Sequence, residues 1–224
     1  MAGWRTIGVI GGMGPAATAD FMARLVAGAG AARDADHPRV LIDSNPHVPD
    51  RNAAMAGTGP SPGPVLAAMA KALLVQGADV LAMPCNAAHG WAADIRAVAG
   101  HRFVDVVDTA LAAAMVHRPR CIGVIAIGAT LDGRLYDRAV VPVIAGDRTV
   151  VQALVNRIKS GDTGAAVAAE MAMIAAGLVA DGADVIIAAC TEVPLVLAAS
   201  AVTVPLVDAT AALATATLLA ARTG

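Results

Sequence analysis

Short apolar runs alternate along the chain with longer segments whose apolar residues recur at helical spacing. Buried strands are predicted at RTIGVI (5–10), RVLID (39–43) and DVLAM (79–83). Helices are predicted at PAATADFMARLVAGAG (15–30) and PVLAAMAKALLVQG (64–77), and RFVDVV (102–107) leads into a helix that Asp108 caps. This alternation is typical of βαβ units, so we predict an α/β fold with mostly parallel sheets.

Three short segments of the first half recur in the same order in the second half. IGVI stands at 7–10 and 122–125, GADV at 77–80 and 182–185, and VVDTA at 106–110 matches LVDAT at 206–210. The common order predicts two similar Rossmann-like parallel-sheet domains related by pseudo-twofold symmetry. We expect residues 1–106 and 208–224 to form an N-terminal domain completed by the C-terminal helix, and residues 107–207 to form the second domain.

The repeat places Cys85 and Cys190 at the same position, just beyond the carboxyl end of a predicted strand. Ligands of open parallel sheets bind at this edge. Asn86 follows the first cysteine and Thr191 follows the second, so two thiols and two polar side chains are expected to meet one ligand. Cys121 opens a strand instead, and we interpret it as a buried small hydrophobic residue.

Both cysteines stand where a helix is predicted to begin. The positive end of a helix dipole and its unpaired N–H groups favour a thiolate, and they lower a cysteine pKa from its free value of about 8.5. The same N–H groups, with Asn86 and Thr191, are suited to holding a carboxylate. This chemistry fits the removal of a proton from one face of a carbon beside a carboxylate and the return of a proton to the other face.

Composition narrows the classes of function. Hydrophobic residues make up 57% of the chain and charged residues 15%, which indicates a folded protein. A net charge of -2 without a basic cluster argues against a nucleic-acid partner. The most apolar stretch, 193–207, contains two prolines and is shorter than the roughly 20 residues that a membrane span needs. The N-terminus has no signal-peptide pattern, so we expect a cytoplasmic protein.

Four segments resemble the signature motifs of the pyridoxal-phosphate-independent aspartate/glutamate racemase superfamily. They are IGVIGGMGPAAT (7–18), SNPHVPDRN (44–52), PCNAAH (84–89) and ACTEVPLVL (189–197). The resemblance extends over nearly the whole chain. It implies two α/β domains with an active site in the cleft between them and one acid/base cysteine from each domain. It also implies that no cofactor is used, and we expect no metal requirement.

The resemblance assigns a role to each matching residue. Cys85 and Cys190 would be the acid/base pair, and Asn86 and Thr191 would hold the α-carboxylate. Arg51 and Lys159 look like the cations that receive the side-chain carboxylate of a small acidic amino acid. Further matching residues are expected to bind substrate or to support the cysteines, namely Gly12, Met13 and Thr130 for binding and His89 and Glu192 for support.

The second cysteine motif favours one branch of this superfamily. It reads Cys-Thr-Glu, whereas glutamate racemases typically have Cys-Thr-His, so Glu192 indicates the aspartate branch. Ala87 stands where the family commonly has threonine, and Ile127 and Ala129 also depart from its pattern. We therefore expect a racemase of aspartate first and glutamate second, acting as a homodimer.

Other interpretations remain open on the sequence. Gly12, Gly14 and Ala17 fit the G-x-G-x-x-A turn of a nicotinamide-dinucleotide enzyme, with Asp43 near the place of the ribose-binding acid. Pro15 removes one N–H from that turn and counts against it. A binding protein without catalysis, a maleate isomerase and a hydantoin racemase are further alternatives. His89 and Glu192 also fit ordinary first-turn residues, Asp50 a helix cap, Arg51 a surface charge and Lys159 a helix end.

Overall fold

Residues 3–223 are described by a computed structural model, and the chain divides into two compact units. The first unit comprises the chain up to Thr109 together with the segment from Thr210 onward, and the second is Ala110–Ala209. The boundaries expected from the sequence, after residues 106 and 207, lie a few residues earlier. None of the helices in residues 3–223 is long and apolar enough to cross a membrane.

The first unit is built on a parallel sheet in the order β2-β1-β3-β4. Its strands are β1 (Ile7–Gly11), β2 (Val40–Ser44), β3 (Val80–Ala82) and β4 (Phe103–Val104). Its helices are α1 (Pro15–Ala29), α2 (Arg51–Met55), α3 (Gly63–Val75) and α4 (Ala92–Ala99), and α5 (Val106–Met115) leads into the second unit. Every residue of the central strands β1 and β3 is buried, as expected for a sheet covered on both faces.

The second unit repeats this plan with a parallel sheet in the order β6-β5-β7-β8. Its strands are β5 (Ile122–Ile125), β6 (Val143–Ala145), β7 (Val185–Ala188) and β8 (Leu206–Asp208). Its helices are α6 (Gly128–Asp132), α7 (Arg148–Lys159) and α8 (Ala165–Ala180), and α9 (Ala209–Ala221) returns the chain to the first unit. The predicted α/β fold with two similar parallel-sheet domains is confirmed.

The repeat extends to strand register. Ile7 pairs with Val80 in the first sheet, and Ile122 pairs with Val185 in the second, so the IGVI and GADV segments meet in the same way twice. The aspartate of each GADV segment also has the same function. The carboxylate of Asp79 accepts a hydrogen bond from the Thr6 N–H, and that of Asp184 accepts one from the Cys121 N–H. Each aspartate therefore ties the start of its own strand to the start of the neighbouring central strand.

Two local expectations are wrong. Helix α5 begins at Val106, so Asp108 is already inside the helix, and the cap is Asp105. Asp105 Oδ1 accepts from the N–H groups of Val107 and Asp108, at 2.7 and 3.2 Å. Cys121 is half-buried rather than buried, because it lies one residue before β5 begins.

The capping geometry predicts that Asp105 and Asp108 contribute differently to the free energy of unfolding. Asp105→Ala removes the acceptor for two N–H groups of the first turn of α5 and should lower the free energy of unfolding by about 1–2 kcal/mol. Asp108→Ala removes an exposed carboxylate and should change the free energy of unfolding by less than about 0.5 kcal/mol. Urea unfolding followed by circular dichroism measures both. Equal losses in the two variants would contradict the assignment of Asp105 as the cap.

Candidate active site

In the second unit, the thiol of Cys190 is hydrogen-bonded to a carboxylate. Cys190 follows β7 after one residue, and its Sγ lies 3.0 Å from Glu192 Oε2. The Thr191 hydroxyl donates to the same oxygen at 3.0 Å. All three residues are buried, at 6–7% exposure. The thiol is the donor in this hydrogen bond, so Cys190 carries its proton in this arrangement.

The electrostatics of Cys190 reverse the expectation drawn from the sequence. Burial raises the pKa of the Cys190 thiol well above its usual value, and the charge and the side-chain hydrogen bond of Glu192 raise it further. The predicted helix dipole does not oppose them, because the chain forms only a short 3₁₀ turn, Val193–Leu195, beyond the cysteine. The prediction of a lowered pKa is therefore wrong for Cys190.

Lys159 approaches the same carboxylate from the end of α7. Its Nζ lies 3.8 Å from Glu192 Oε1, and its side chain is 42% exposed. Its positive charge lowers the pKa of Cys190, but it is the last and smallest of the effects on that thiol. The second unit thus brings together four of the predicted residues, namely Lys159, Cys190, Thr191 and Glu192.

Thr130 contributes a buried hydroxyl at the same edge of this sheet. It lies in α6, directly beyond β5, which is the strand paired with β7. The residue is 1% exposed, and its Oγ1 has no hydrogen-bond partner within residues 3–223. A buried hydroxyl without a partner costs free energy that a bound ligand can recover. This hydroxyl is therefore suited to a polar ligand at the carboxyl edge.

In the first unit, Cys85 lies in the equivalent turn beyond β3. Cys85 and Asn86 are both buried, at 6% and 3% exposure. The chain then forms a 3₁₀ turn, Ala87–Trp91, and α4 begins only at Ala92, so the expected helix N-terminus at the cysteine is absent here as well. His89 is buried and contacts the main chain of Cys85: its Nδ1 lies 2.8 Å from the Cys85 carbonyl oxygen.

The glycine-rich turn beyond β1 packs against the protein itself. Gly12 has a φ of +92°, and a Cβ at this position would lie 2.3 Å from the main chain of Asn45. Its N–H donates to Thr18 Oγ1 at 2.8 Å, and the neighbouring Met13 is 4% exposed. A dinucleotide needs the backbone of this turn to be open to a pyrophosphate. The packing against Asn45 and the occupied N–H therefore disfavour the nicotinamide interpretation.

Arg51 carries a positive charge that no described carboxylate balances. It is the first residue of α2, and Asp50 caps this helix by accepting from the Ala53 N–H at 2.8 Å, as the sequence indicated. Nη1 of Arg51 donates to the carbonyls of Val48 and Pro49, at 3.2 and 3.0 Å. These contacts hold the half-buried guanidinium in place, and within residues 3–223 it forms no ion pair. The arginine is therefore positioned to receive an anionic group.

Two polar residues that support these turns were missed in the sequence analysis. Thr18 closes the Gly12 turn and lies within the quoted segment IGVIGGMGPAAT, so that motif was the available signal. Asp105 fixes the first turn of α5 beside His89, and it lies in the quoted segment RFVDVV (102–107), where the sequence pattern pointed to Asp108 as the cap instead. Within residues 3–223 there is no group of three or more His, Cys, Asp or Glu residues that could hold a metal ion.

Comparisons with known proteins agree with this fold. The model of the family described as Asp/Glu/Hydantoin racemase matches residues 10–217. An aspartate racemase from Picrophilus torridus superposes with a TM-score of 0.86 and 26% identity, covering 98% of this chain and 95% of that one. A glutamate racemase from Francisella tularensis superposes at 0.68 with 20% identity, covering 95% and 79%. The allantoin racemase from Klebsiella pneumoniae superposes at 0.62 with 20% identity, covering 95% and 86%.

The contact between Cys190 and Glu192 predicts the reactivity of the thiol. Glu192→Gln removes the negative charge that helps raise the pKa of Cys190, so the thiolate should form at lower pH. Alkylation of Cys190 by iodoacetamide should therefore be faster at a given pH, and its pH profile should move to lower values. Peptide mass spectrometry follows the labelling of each cysteine separately.

Lys159→Gln is the matched control. It removes a positive charge that lowers the pKa of Cys190, so it should shift the alkylation profile in the opposite direction, to higher pH. A Glu192→Gln profile that stays in place or moves upward would show that Glu192 does not control this thiol.

Proposed function

Since the chain belongs to the Asp/Glu/Hydantoin racemase family, we propose that it interconverts the L and D enantiomers of a small acidic amino acid. Aspartate is the first candidate and glutamate the second. Cys85 and Cys190 act as two bases on opposite faces of Cα, without pyridoxal phosphate. The observation that carries this proposal is that two buried cysteines occupy equivalent turns at the carboxyl edges of the two sheets, each followed by a buried polar residue.

The hydrogen bond to Glu192 assigns Cys190 its starting role. A protonated thiol is a proton donor, so the free enzyme presents an acid at position 190. Racemisation then requires Cys85 to be the base, as a thiolate that takes the Cα proton of the enantiomer presented to it. Cys190 gives its proton to the opposite face of Cα. One proton leaves the substrate and one enters, and the two cysteines end with exchanged protonation states.

Negative charge develops on the α-carboxylate as the Cα proton leaves. The Asn86 and Thr191 side chains follow the two cysteines directly and hold this carboxylate in the proposal, with the buried Thr130 hydroxyl and the turn of Gly12 and Met13 lining the same substrate. Hydrogen-bond donors that are fixed before the reaction stabilise such charge without reorganisation. A buried setting strengthens them, because the local dielectric is low.

Two cations select an acidic side chain. Arg51 carries a charge without a described counterion, and it binds the distal carboxylate of the substrate in a charge-assisted contact. Lys159 already lies 3.8 Å from Glu192, so a substrate carboxylate shares this lysine with Glu192. The presence of both cations favours aspartate or glutamate over an uncharged hydantoin ring. We also propose that the enzyme acts in the cytoplasm and as a homodimer.

The two-base mechanism predicts the fate of three cysteine variants in D₂O. Cys85→Ser and Cys190→Ser should each abolish racemisation of aspartate, because a serine hydroxyl is too weak an acid to replace either thiol. Cys121→Ser should keep its activity, since this half-buried residue lies before a strand and away from the carboxyl edge. Circular dichroism measures turnover, and proton NMR measures the α-proton of each enantiomer.

The parent enzyme supplies the second half of this test. At low conversion in D₂O, the product enantiomer should carry deuterium while the recovered substrate stays mostly protiated, because the incoming proton comes from a different sulfur. Deuterium that enters the substrate pool faster than the product forms would indicate a single base. Racemisation at near the parent rate by either active-site variant would refute the proposal.

The proposed role of Arg51 predicts a loss of activity that depends on the substrate. Arg51→Ala removes a charge-assisted contact to the distal carboxylate, which costs about 2–4 kcal/mol or roughly 30- to 1,000-fold in kcat/KM. Steady-state assays with L-aspartate and L-alanine should show this fall for aspartate only. Arg120→Ala is the control, because Arg120 is a 92% exposed residue paired with Asp184. Unchanged aspartate kinetics in Arg51→Ala would make Arg51 a structural residue of α2.

A further inference from the structure

The main-chain carbonyl of each cysteine is held by a hydrogen bond, but the donors differ. In the second unit, the Cys190 carbonyl accepts from the Val193 N–H at 3.1 Å. In the first unit, the Cys85 carbonyl accepts from the side chain of His89, whose Nδ1 lies 2.8 Å away. The residue four positions beyond Cys190 is Pro194, which has no side-chain donor. The cysteine carbonyl is therefore held by a side chain in the first unit and by a main-chain N–H in the second.

The second ring nitrogen of His89 fixes the state of the imidazole. Nε2 accepts from the Val106 N–H at 3.1 Å, because a main-chain N–H only donates. Nδ1 therefore carries the hydrogen and donates to the Cys85 carbonyl, and the ring is neutral. The ring also stacks on Phe103, with centroids 5.4 Å apart. With both nitrogens used and one face covered, the ring has a single orientation.

The partner of Nε2 is itself fixed. Val106 is the first residue of α5, and the neighbouring N–H groups of that turn are bound by the buried carboxylate of Asp105. Arg96 pairs with the other oxygen of Asp105. The Cys85 carbonyl is thus connected through His89 to a capped helix end. These contacts place His89 on the main chain of Cys85.

We propose that His89 is a positioning residue for Cys85, which fixes the direction of the thiol by holding the Cys85 carbonyl against the first turn of α5. It acts through the main chain and takes no part in the proton transfer to or from the substrate. This inference rests on the proposed function, in which the Cys85 thiolate must meet one face of Cα. A misplacement of about 1 Å at a reacting group can cost on the order of 100-fold in rate.

Two substitutions separate the contacts of His89. The amide nitrogen of asparagine reaches the position of Nδ1, so His89→Asn keeps a donor for the Cys85 carbonyl and loses the bond to Val106. The amide of glutamine reaches the position of Nε2, so His89→Gln keeps a partner for the Val106 N–H and loses the donor to Cys85. Both variants lose the ring stack on Phe103, so each serves as the other's control for lost packing.

The measurements are kcat and KM for L-aspartate, the melting temperature, and the iodoacetamide alkylation rate of Cys85. His89→Asn should keep kcat within about threefold of the parent, whereas His89→Gln should lose about 10- to 100-fold in kcat with little change in KM. The alkylation rate of Cys85 should change in His89→Gln and stay near the parent in His89→Asn. Both variants should melt at similar temperatures.

The outcomes separate this inference from the proposed function. Equal losses of kcat in the two variants, or a larger loss in His89→Asn, would overturn the positioning role and leave the racemase proposal standing. If the parent protein racemises no acidic amino acid, the proposed function fails, and the alkylation rates still test the positioning. Equal Cys85 alkylation in all three proteins would then overturn it.

Discussion

The close approach of helix, loop and strand at two glycines sets the geometry of both units. A Cβ on Gly8 would lie 2.6 Å from Leu81 and 2.8 Å from Ala78. A Cβ on Gly123 would lie 2.5 Å from Ile186 and 3.0 Å from Ala183, which is the equivalent alanine of the second unit. Only glycine allows the central strand to pack this tightly against its neighbour. The equivalent strand register of the two sheets brings the turn of each cysteine to the carboxyl edge of its sheet.

The two units share one backbone plan, but their cysteine turns are chemically different. Cys190 is hydrogen-bonded to Glu192, which lies beside Lys159, and burial beside the carboxylate keeps the thiol of Cys190 protonated. Cys85 has no equivalent carboxylate two residues on, where the sequence has Ala87. A racemase that uses two cysteines needs one acid and one base at the start of each turnover. In the proposed mechanism, the unequal surroundings of the two cysteines supply that difference.

Polar groups with fixed partners are concentrated around these turns. Thr18 closes the Gly12 turn, Asp105 caps α5, and His89 joins the Cys85 carbonyl to that cap. Buried hydrogen bonds of this kind cost free energy when one partner is lost, so they hold irregular backbone in a single conformation. The Thr130 hydroxyl is the contrasting case, because it is buried without such a partner in the described part of the chain and is suited to a ligand.

The sequence by itself determined the first three strands, the repeat and the positions of both cysteines, because these depend on local periodicity and on short matching segments. Helix α1 and strand β3 lie within a residue or two of where the pattern predicts them. Only the tertiary structure decided the partner of His89, the cap of α5 and the protonation of Cys190. Each depends on how side chains point in irregular turns, where no period operates. At Cys190 burial and Glu192 raise the thiol pKa, and the helix that the sequence led us to expect does not begin there.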